Sequence, residues 1–349
     1  MYEYVGNVHL HSAYSDGALT ITEIVKIGAR NGLDFIIITD HQTLAGLDQG
    51  MEGYYDKTLV LIGMEVNEHS HHYLALNVRT VVPDNESNPQ QVINGVNQQQ
   101  GIGIIAHPFE KGSKFYHNGL TFLWTDWSVQ GFQGIEIWNH LSRWRDELTG
   151  IFRGLLLILK PSLALHKGPY RETLRLLDGY QVQGKQVFAY GGSDAHGIRF
   201  KLPLTSIEIG SYEQGFRSIN MHILTDQPLQ NNLEHDRQLI YQALAQGNSW
   251  VACDYYRNSR GFRFEAQSPR GKWGMGSTIS WHRGIDLLVK TPYPARVLML
   301  RNGELWAKSQ GTKHRFPVNR PGVYRVEAEY RRGWSWQPWI FSNPIWISE

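Results

Sequence analysis

From residue 5 to about 250 the chain alternates two textures, short dense apolar runs and longer stretches with apolar positions three and four apart. VGNVHLH (5–11) alternates polar and apolar positions and predicts a strand. TITEIVKIGARNG (20–32) predicts a helix, with Thr20 as N-cap, Glu23 closing a capping box and Gly32 at the stop. FIIITD (35–40) is the pattern of a strand buried on both faces. LVLIGMEV (59–66), HYLALNV (72–78), IGIIAHP (102–108), GIEIWN (134–139) and VFAYGGSD (187–194) predict five more strands. Pro89 opens a helix over PQQVINGVNQQQ, and YRETLRLLDGYQVQ (170–183) and HDRQLIYQALAQGN (235–248) predict two others. Repeated β-then-α units argue for a parallel sheet or barrel.

After residue 250 the texture changes. GFRFEAQ, IDLLVKT, ARVLMLRNG, GVYRVEAEYRRG and PWIFSNPIWI are short alternating runs split by Gly, Pro and Asn. They predict a small antiparallel β-sandwich. The expected organisation is a domain over 1–254 and a second over 255–349, with no internal repeat or long linker.

Composition narrows the function classes. Lys+Arg 34 against Asp+Glu 32 leaves almost no net charge, so neither nucleic acid nor a membrane surface is an expected main partner. The single cysteine, Cys253, excludes an intramolecular disulfide framework and a Cys-based zinc site. The N-terminus lacks a basic region followed by a long apolar run, so no signal peptide is expected. The most apolar run, GLLLILK (154–160), is too short to span a bilayer. A cytoplasmic location is expected.

The chemistry lies at the strand ends. The first strand ends at His9-Leu-His11, with Asp16 just after; the second at Asp40-His41; the third carries Glu65. Later runs end at His107 and at Asp194-Ala195-His196. His72 stands at a strand start, which reaches the same face if that strand runs the other way. Each residue alone fits a turn, a cap or a hydrogen-bonded core histidine. Together they load nearly every strand terminus with an imidazole or carboxylate, which predicts a multi-metal site. Mixed imidazole and carboxylate donors suit Zn, Mn or Fe rather than Ca or Mg. Nine candidate ligands exceed the needs of one or two ions, so three divalent ions are expected, with Glu65 bridging two. His9 and His11 alternate because both reach one ion.

HxH, SDG, TDH, Glu65, His72, AHP and SDAH, in this order over roughly residues 1–250, resemble the PHP domain, named for polymerase and histidinol phosphatase. The resemblance implies a distorted (β/α)7 barrel, an α/β fold, holding three metals. By analogy His9, His11, Glu65 and Asp194 hold the first ion. Glu65, His72 and His107 hold the second, and Asp16, His41 and His196 the third. His72 is chosen over His69 and His71 because it directly precedes YLAL. INMHIL, ALAQGNSWVA and the C-terminal runs resemble a two-domain branch of PHP metallohydrolases with an appended β-sandwich. Some relatives there are carbamate-ester hydrolases, and many are labelled phosphoesterases.

The expected function is metal-dependent hydrolysis of a small phosphorylated molecule by a metal-bridging hydroxide, with Glu65, His107 and Asp194 as the catalytic set. The alternatives are ester, carbamate or amide hydrolysis at the same site, and a non-catalytic binding module. Arg199 and Arg143 are the first candidates for a phosphate clamp because a guanidinium holds phosphate in a bidentate way. Lys111 and Lys114 come next, and Trp124, Trp127, Trp138 and Trp144 are candidate pocket walls. Ser12, Ser15 and Ser193 fit turn caps, and Asp40 is a candidate orienter of His41. Two or more cations beside the metals would favour phosphate; an aromatic, uncharged pocket would favour an acyl substrate.

Overall fold

The computed structural model describes residues 1–202 and 205–349, with backbone alone for Pro161, 199–202 and 205–207. Strands β1 (Tyr2–Asn7), β2 (Phe35–His41), β3 (Gly53–Tyr55), β4 (Thr58–Val66), β5 (Tyr73–Leu76), β6 (Ile102–Ile105), β7 (Gly134–Asn139) and β8 (Phe188–Gly192) occupy the first part. Helices α1 (Ile21–Arg30), α2 (Ala45–Asp48), α3 (Pro89–Gln98), α4 (His140–Glu147), α5 (Ile151–Leu159) and α6 (Arg171–Val182) lie between them. The short pair β9 (Ile198–Leu202) and β10 (Thr205–Ile209) follows, then α7 (Tyr212–Ser218), β11 (Ile219–Thr225), α8 (Leu233–Ala245) and β12 (Ser249–Cys253).

The capping box of α1 forms as expected: the Thr20 side chain accepts from Glu23 N and Glu23 accepts from Thr20 N. β2 runs parallel to both β1 and β4. β5 is antiparallel to β4 and to β6, so its start, with His72, faces the same end as the termini of its neighbours. β7 is parallel to β6 and β8. The expected strand over 5–11 stops at Asn7; only Leu10 continues, as a parallel bridge to Ala195. Beyond Asn7 the backbone is instead tied to the 194–195 segment by Asp194 N→His9 O (2.8 Å) and His11 N→Ala195 O (3.0 Å).

The C-terminal part is strands only: β13 (Arg263–Ser268), β14 (Gly271–Gly274), β15 (Thr278–Ser280), β16 (Asp286–Arg301), β17 (Glu304–Pro317), β18 (Gly322–Arg332), β19 (Ser335–Ser342) and β20 (Ile345–Ser348). β17 has no counterpart among the expected runs. It pairs with β16 alone and is mostly exposed, so little apolar alternation marks it. The strand-rich part carries its own apolar cluster, with Phe264, Leu287, Val297, Val326 and Trp339 at its heart. The larger cluster lies among β1 to β8, α1, α3 and α8.

The two parts are joined in three ways. β12 pairs with β11 on one side and β19 on the other, so the ladder runs through without a break. Arg325 of β18 donates to Asp178 of α6 through Nε (2.6 Å) and Nη2 (2.8 Å). Buried His222 of β11 bonds Glu3 (3.1 Å) through Nδ1, and Asp254 (2.9 Å) through Nε2. Glu3 also holds Arg263 of β13 at 2.6 Å. Among the described residues no helix is long and apolar enough to cross a membrane.

Candidate metal centre

All nine sequence-predicted ligands meet at one end of the sheet, around the Glu65 carboxylate. Glu65 Oε2 lies 3.1 Å from His9 Nε2, 3.1 Å from His11 Nε2 and 3.7 Å from His41 Nδ1. Its Oε1 lies 2.8 Å from His72 Nδ1 and 3.3 Å from His107 Nε2. Asp194 Oδ1 is 3.3 Å from His11 Nε2 and 3.6 Å from His9 Nε2. Toward solvent, Asp16 Oδ2 is 3.2 Å from His196 Nε2 and 3.9 Å from His41 Nε2. Three overlapping donor groups result: His9, His11, Glu65 and Asp194; His11, Asp16, His41 and His196; and His41, Glu65 and His72. The first is the set expected for one ion. The second adds His11 to an expected set, and the third has His41 where His107 was expected.

The chemistry of this donor set fits divalent ions. Three rings spend one nitrogen on an acceptor other than the clustered carboxylates. His9 Nδ1 donates to Glu136 (2.9 Å), His72 Nε2 to Glu68 O (3.2 Å), and His196 Nδ1 to Asp194 O (2.9 Å). That fixes the tautomer and turns the lone pair of the other nitrogen on a carboxylate oxygen. Lone pair facing lone pair is repulsive unless a cation lies between. Both nitrogens of His11, with Nδ1 of His41 and of His107, are buried without a hydrogen bond. With metal–ligand bonds of about 2.0–2.2 Å, neighbouring ligand atoms on one ion stand roughly 3.0–3.5 Å apart. Most separations around Glu65 lie in or near that range.

The titration behaviour says the same thing in charge. Burial works against ionising Glu65, but His9, His72 and His41 hold it well below the usual carboxylate range. Burial works against charging His11, but Asp194 and Glu65 outweigh it and raise the ring to about 10. Burial, with His11 adding to it, pushes His41 down to about 3. The carboxylates demand positive charge, and the rings cannot all supply it as protons.

The surrounding chain aims these side chains. Asp40 accepts from Ser12 N (2.7 Å), Ser12 Oγ (2.6 Å) and Ser15 Oγ (2.7 Å), so it shapes the turn that carries Asp16. Its expected role on His41 is not what it does among its hydrogen bonds. A Cβ at Gly17 in that turn would sit 2.4 Å from His11 O. Ser193 bonds Asn7 (2.8 Å), as a turn residue. His107 (φ 25) and Asp194 (φ 53) hold left-handed backbone conformations, a strain often found at functional sites.

Sequence reasoning missed the residues behind the ligands. Glu136 of β7 takes His9 through Oε1, and His107 N (3.0 Å) and Asn139 Nδ2 (3.0 Å) through Oε2. A charged residue between isoleucines in a buried strand was the available signal, because such a group must be paired. Asn139 also reaches Asp194 (3.3 Å).

A cavity of about 190 Å³ opens over the cluster. Its other walls are Tyr116, His117, Leu120, Phe122, Leu141, Arg145 and Ile198. Arg143 is elsewhere: it stacks on Tyr170 (4.3 Å) in a cleft shared with Lys111 and Asp146. Arg145 lines the cavity instead. It lies 5.3 Å from the Tyr116 ring and 5.7 Å from that of Phe122, close to Glu110 (3.5 Å), and donates to Leu120 O. The Arg199 side chain lies outside the described residues. Trp124 and Trp138 are core residues, and Trp144 packs with Leu148 and Leu157. The aromatic walls are Phe122, stacked 4.2 Å from His72, and Tyr116.

The PHP domain family matches residues 7–143. An uncharacterized protein of Methanocaldococcus jannaschii is 24% identical over 155 residues, covering 39% of this chain and 82% of that protein. A two-domain protein of Bacteroides vulgatus containing a predicted PHP-like metal-dependent phosphoesterase superposes with TM-score 0.44 at 14% identity, over 93% of this chain and 90% of that one. An amidohydrolase of Chromobacterium violaceum gives TM-score 0.31 at 16% identity, over 55% and 87%. The PHP domain match takes in seven of the nine candidate ligands, His9, His11, Asp16, His41, Glu65, His72 and His107, and leaves Asp194 and His196 beyond its end.

Proposed function

We propose that the protein is a metal-dependent hydrolase of a small ester, with a phosphomonoester as the first substrate class. One observation carries the reading. The two oxygens of Glu65 serve different histidines, Oε2 facing His9 and His11 and Oε1 facing His72 and His107, as a carboxylate bridging two ions must. Divalent ions held by His9, His11, Glu65 and Asp194, by Glu65, His72 and His107, and by Asp16, His41 and His196 would supply Lewis acidity and a lowered water pKa, with Mn, Fe or Zn the suited metals. The finer fold reading goes with it: β1, β2 and β4 to β8 wrap as a distorted seven-stranded barrel, supported by the isolated Leu10–Ala195 bridge three residues beyond the ends of the first and last. Residues 1–254 are the hydrolase unit and 255–349 the sandwich.

The chain's own residues then select and orient. A cavity of about 190 Å³ is below the usual range for a drug-sized ligand, so the substrate is small. Leu120, Phe122 and Leu141 offer an apolar seat for the organic group and limit water. Arg145, which lines the cavity, is the cation available to an anionic oxygen of the substrate.

A carboxylic ester or carbamate is the second reading, and a specific observation favours it. Arg145 is the single Arg or Lys among the described cavity residues, and Glu110 already offsets its charge. Protein reloaded with Mn²⁺, Fe²⁺ or Zn²⁺ and assayed on p-nitrophenyl phosphate, p-nitrophenyl acetate and a naphthyl carbamate separates the two. Chelator-sensitive turnover of the phosphate is expected. Turnover of the acyl substrates alone would move the assignment to the second reading, and no turnover of any would refute a hydrolase.

A further inference from the structure

The cluster can draw electron density toward the ions, but ester cleavage also needs a proton for the departing oxygen. Ring nitrogens and carboxylates that hold ions have none to give. Three titratable residues line the cavity outside the ligand set: Tyr116, His117 and Arg145. Arginine keeps its proton throughout the working pH range. Burial raises the Tyr116 phenol above its ordinary value, which makes it a weaker donor still. Histidine is the side chain whose ordinary range suits proton donation near neutrality.

The backbone presents His117 deliberately. His117 (φ 46), Asn118 (φ 55) and Gly119 (φ 83) are three consecutive left-handed residues, two of them not glycine. L-residues rarely adopt this conformation, and such strain collects where function requires it. The turn is tied down around its tip. Tyr116 N bonds Ser113 O (2.9 Å), Leu120 N bonds His117 O (3.1 Å), and Arg145 holds Leu120 O. Asp146 grips Lys111 N and Gly112 N, both at 2.9 Å. The imidazole itself packs edge-on against Tyr116, 4.5 Å between centroids. Neither of its nitrogens bonds a described protein group, and the residue is exposed, so solvent can reprotonate it.

We infer that His117 is the general acid that protonates the leaving-group oxygen of the substrate. The inference rests on the hydrolase reading above. In the step, a water oxygen bonds to the phosphorus or carbonyl carbon and its proton passes to solvent. The bond to the ester oxygen breaks, its electron pair goes to that oxygen, and the oxygen takes the N–H proton of the His117 imidazolium. Tyr116 faces the ring directly, and Arg145, Asp16, His41 and His196 line the same cavity.

His117→Asn is the test, because asparagine tolerates the left-handed backbone and keeps the turn. A general acid contributes about 10²–10⁴-fold, and mostly where the leaving group is a poor one. With an alkyl ester, kcat should fall about a hundredfold or more. With the p-nitrophenyl ester of the same acid it should fall less than about threefold, because nitrophenolate leaves without a proton. The basic limb of the wild-type kcat/KM pH profile should disappear in the variant. Inorganic phosphate added to metal-loaded wild type should shift the His117 ring signals in NMR, at unchanged melting temperature in the variant. Equal losses on both leaving groups, an unaltered pH profile or an unmoved His117 signal each overturn the acid role while leaving the hydrolase reading intact. Wild-type protein inert to every ester overturns both.

Discussion

Replacing Glu136 by glutamine tests how the centre is aimed. All three partners of this carboxylate are donors: His9 Nδ1 on Oε1, and His107 N with Asn139 Nδ2 on Oε2. An amide cannot match them. With its oxygen toward His9, the glutamine turns its NH2 on two donors and leaves buried N–H groups unpaired, at about 1–3 kcal/mol each. With its oxygen toward His107 and Asn139, the NH2 faces His9 Nδ1, which must then accept. The proton of that ring moves to Nε2, the nitrogen that faces Glu65 and Asp194. A protonated Nε2 cannot bind an ion.

Either arrangement weakens metal binding, and they differ in what happens without metal. Loss of a carboxylate behind a ligating histidine typically costs about 10- to 100-fold in affinity. That equals about 1.4–2.7 kcal/mol. Competition against a chromogenic chelator reads the affinity, and melting of the metal-free protein reads the stability. A lowered metal-free melting temperature indicates the first arrangement, and an unchanged one the second. Affinity within twofold of wild type, at unchanged metal-free stability, would refute the idea that Glu136 sets the His9 tautomer.

Two further predictions concern the joints between the parts. Asp178→Asn leaves buried Arg325 with Glu327 (2.7 Å) as its remaining carboxylate, so urea unfolding should show a loss of about 3 kcal/mol, the low end for breaking a buried pair; a loss under 1 kcal/mol would show that the pair does not brace the two parts. For His222, burial opposes the charge but Asp254 and Glu3 outweigh it and raise the ring above its ordinary value. A raised folded pKa means stability that is fully present below about pH 6.5 and lost as pH rises through the folded value. The melting-temperature gap between wild type and His222→Gln should therefore be widest near pH 6 and narrow toward alkaline pH, and a gap that widened instead would refute a charged His222.

The candidate ligands were readable because their residue types are rare and their positions regular. Imidazoles and carboxylates at the ends of β-branched runs have few other reasons to recur, and β5, reversed against its neighbours, brings His72 to the same end. The strand boundary after Asn7 was not readable. His9 and His11 keep the alternation of a strand, while their backbone is held by the 194–195 segment, far away in sequence. β17 was invisible for the opposite reason: an edge strand facing solvent needs no apolar pattern.

The cavity wall shows most clearly where local reading stops. Arg143 and Arg145 sit two apart on the eight-residue helix α4, which separates them by about 200° around its axis. One faces Tyr170 and the other faces the cavity, and nothing in HLSRWRDE says which. The choice is made by contacts from distant segments. Ser142, just before Arg143, donates to Glu110 at 2.7 Å, and Glu110 in turn receives Phe122 N at 2.6 Å. Asn139 caps the helix start by accepting from Ser142 N at 2.9 Å, while its amide reaches back to Glu136 and Asp194. The rotation of α4 is therefore coupled to the same hydrogen bonds that aim His9 and His107. A substitution that disturbs Glu136 should for that reason also move Arg145, so metal affinity and substrate selection in this cavity are not independent properties.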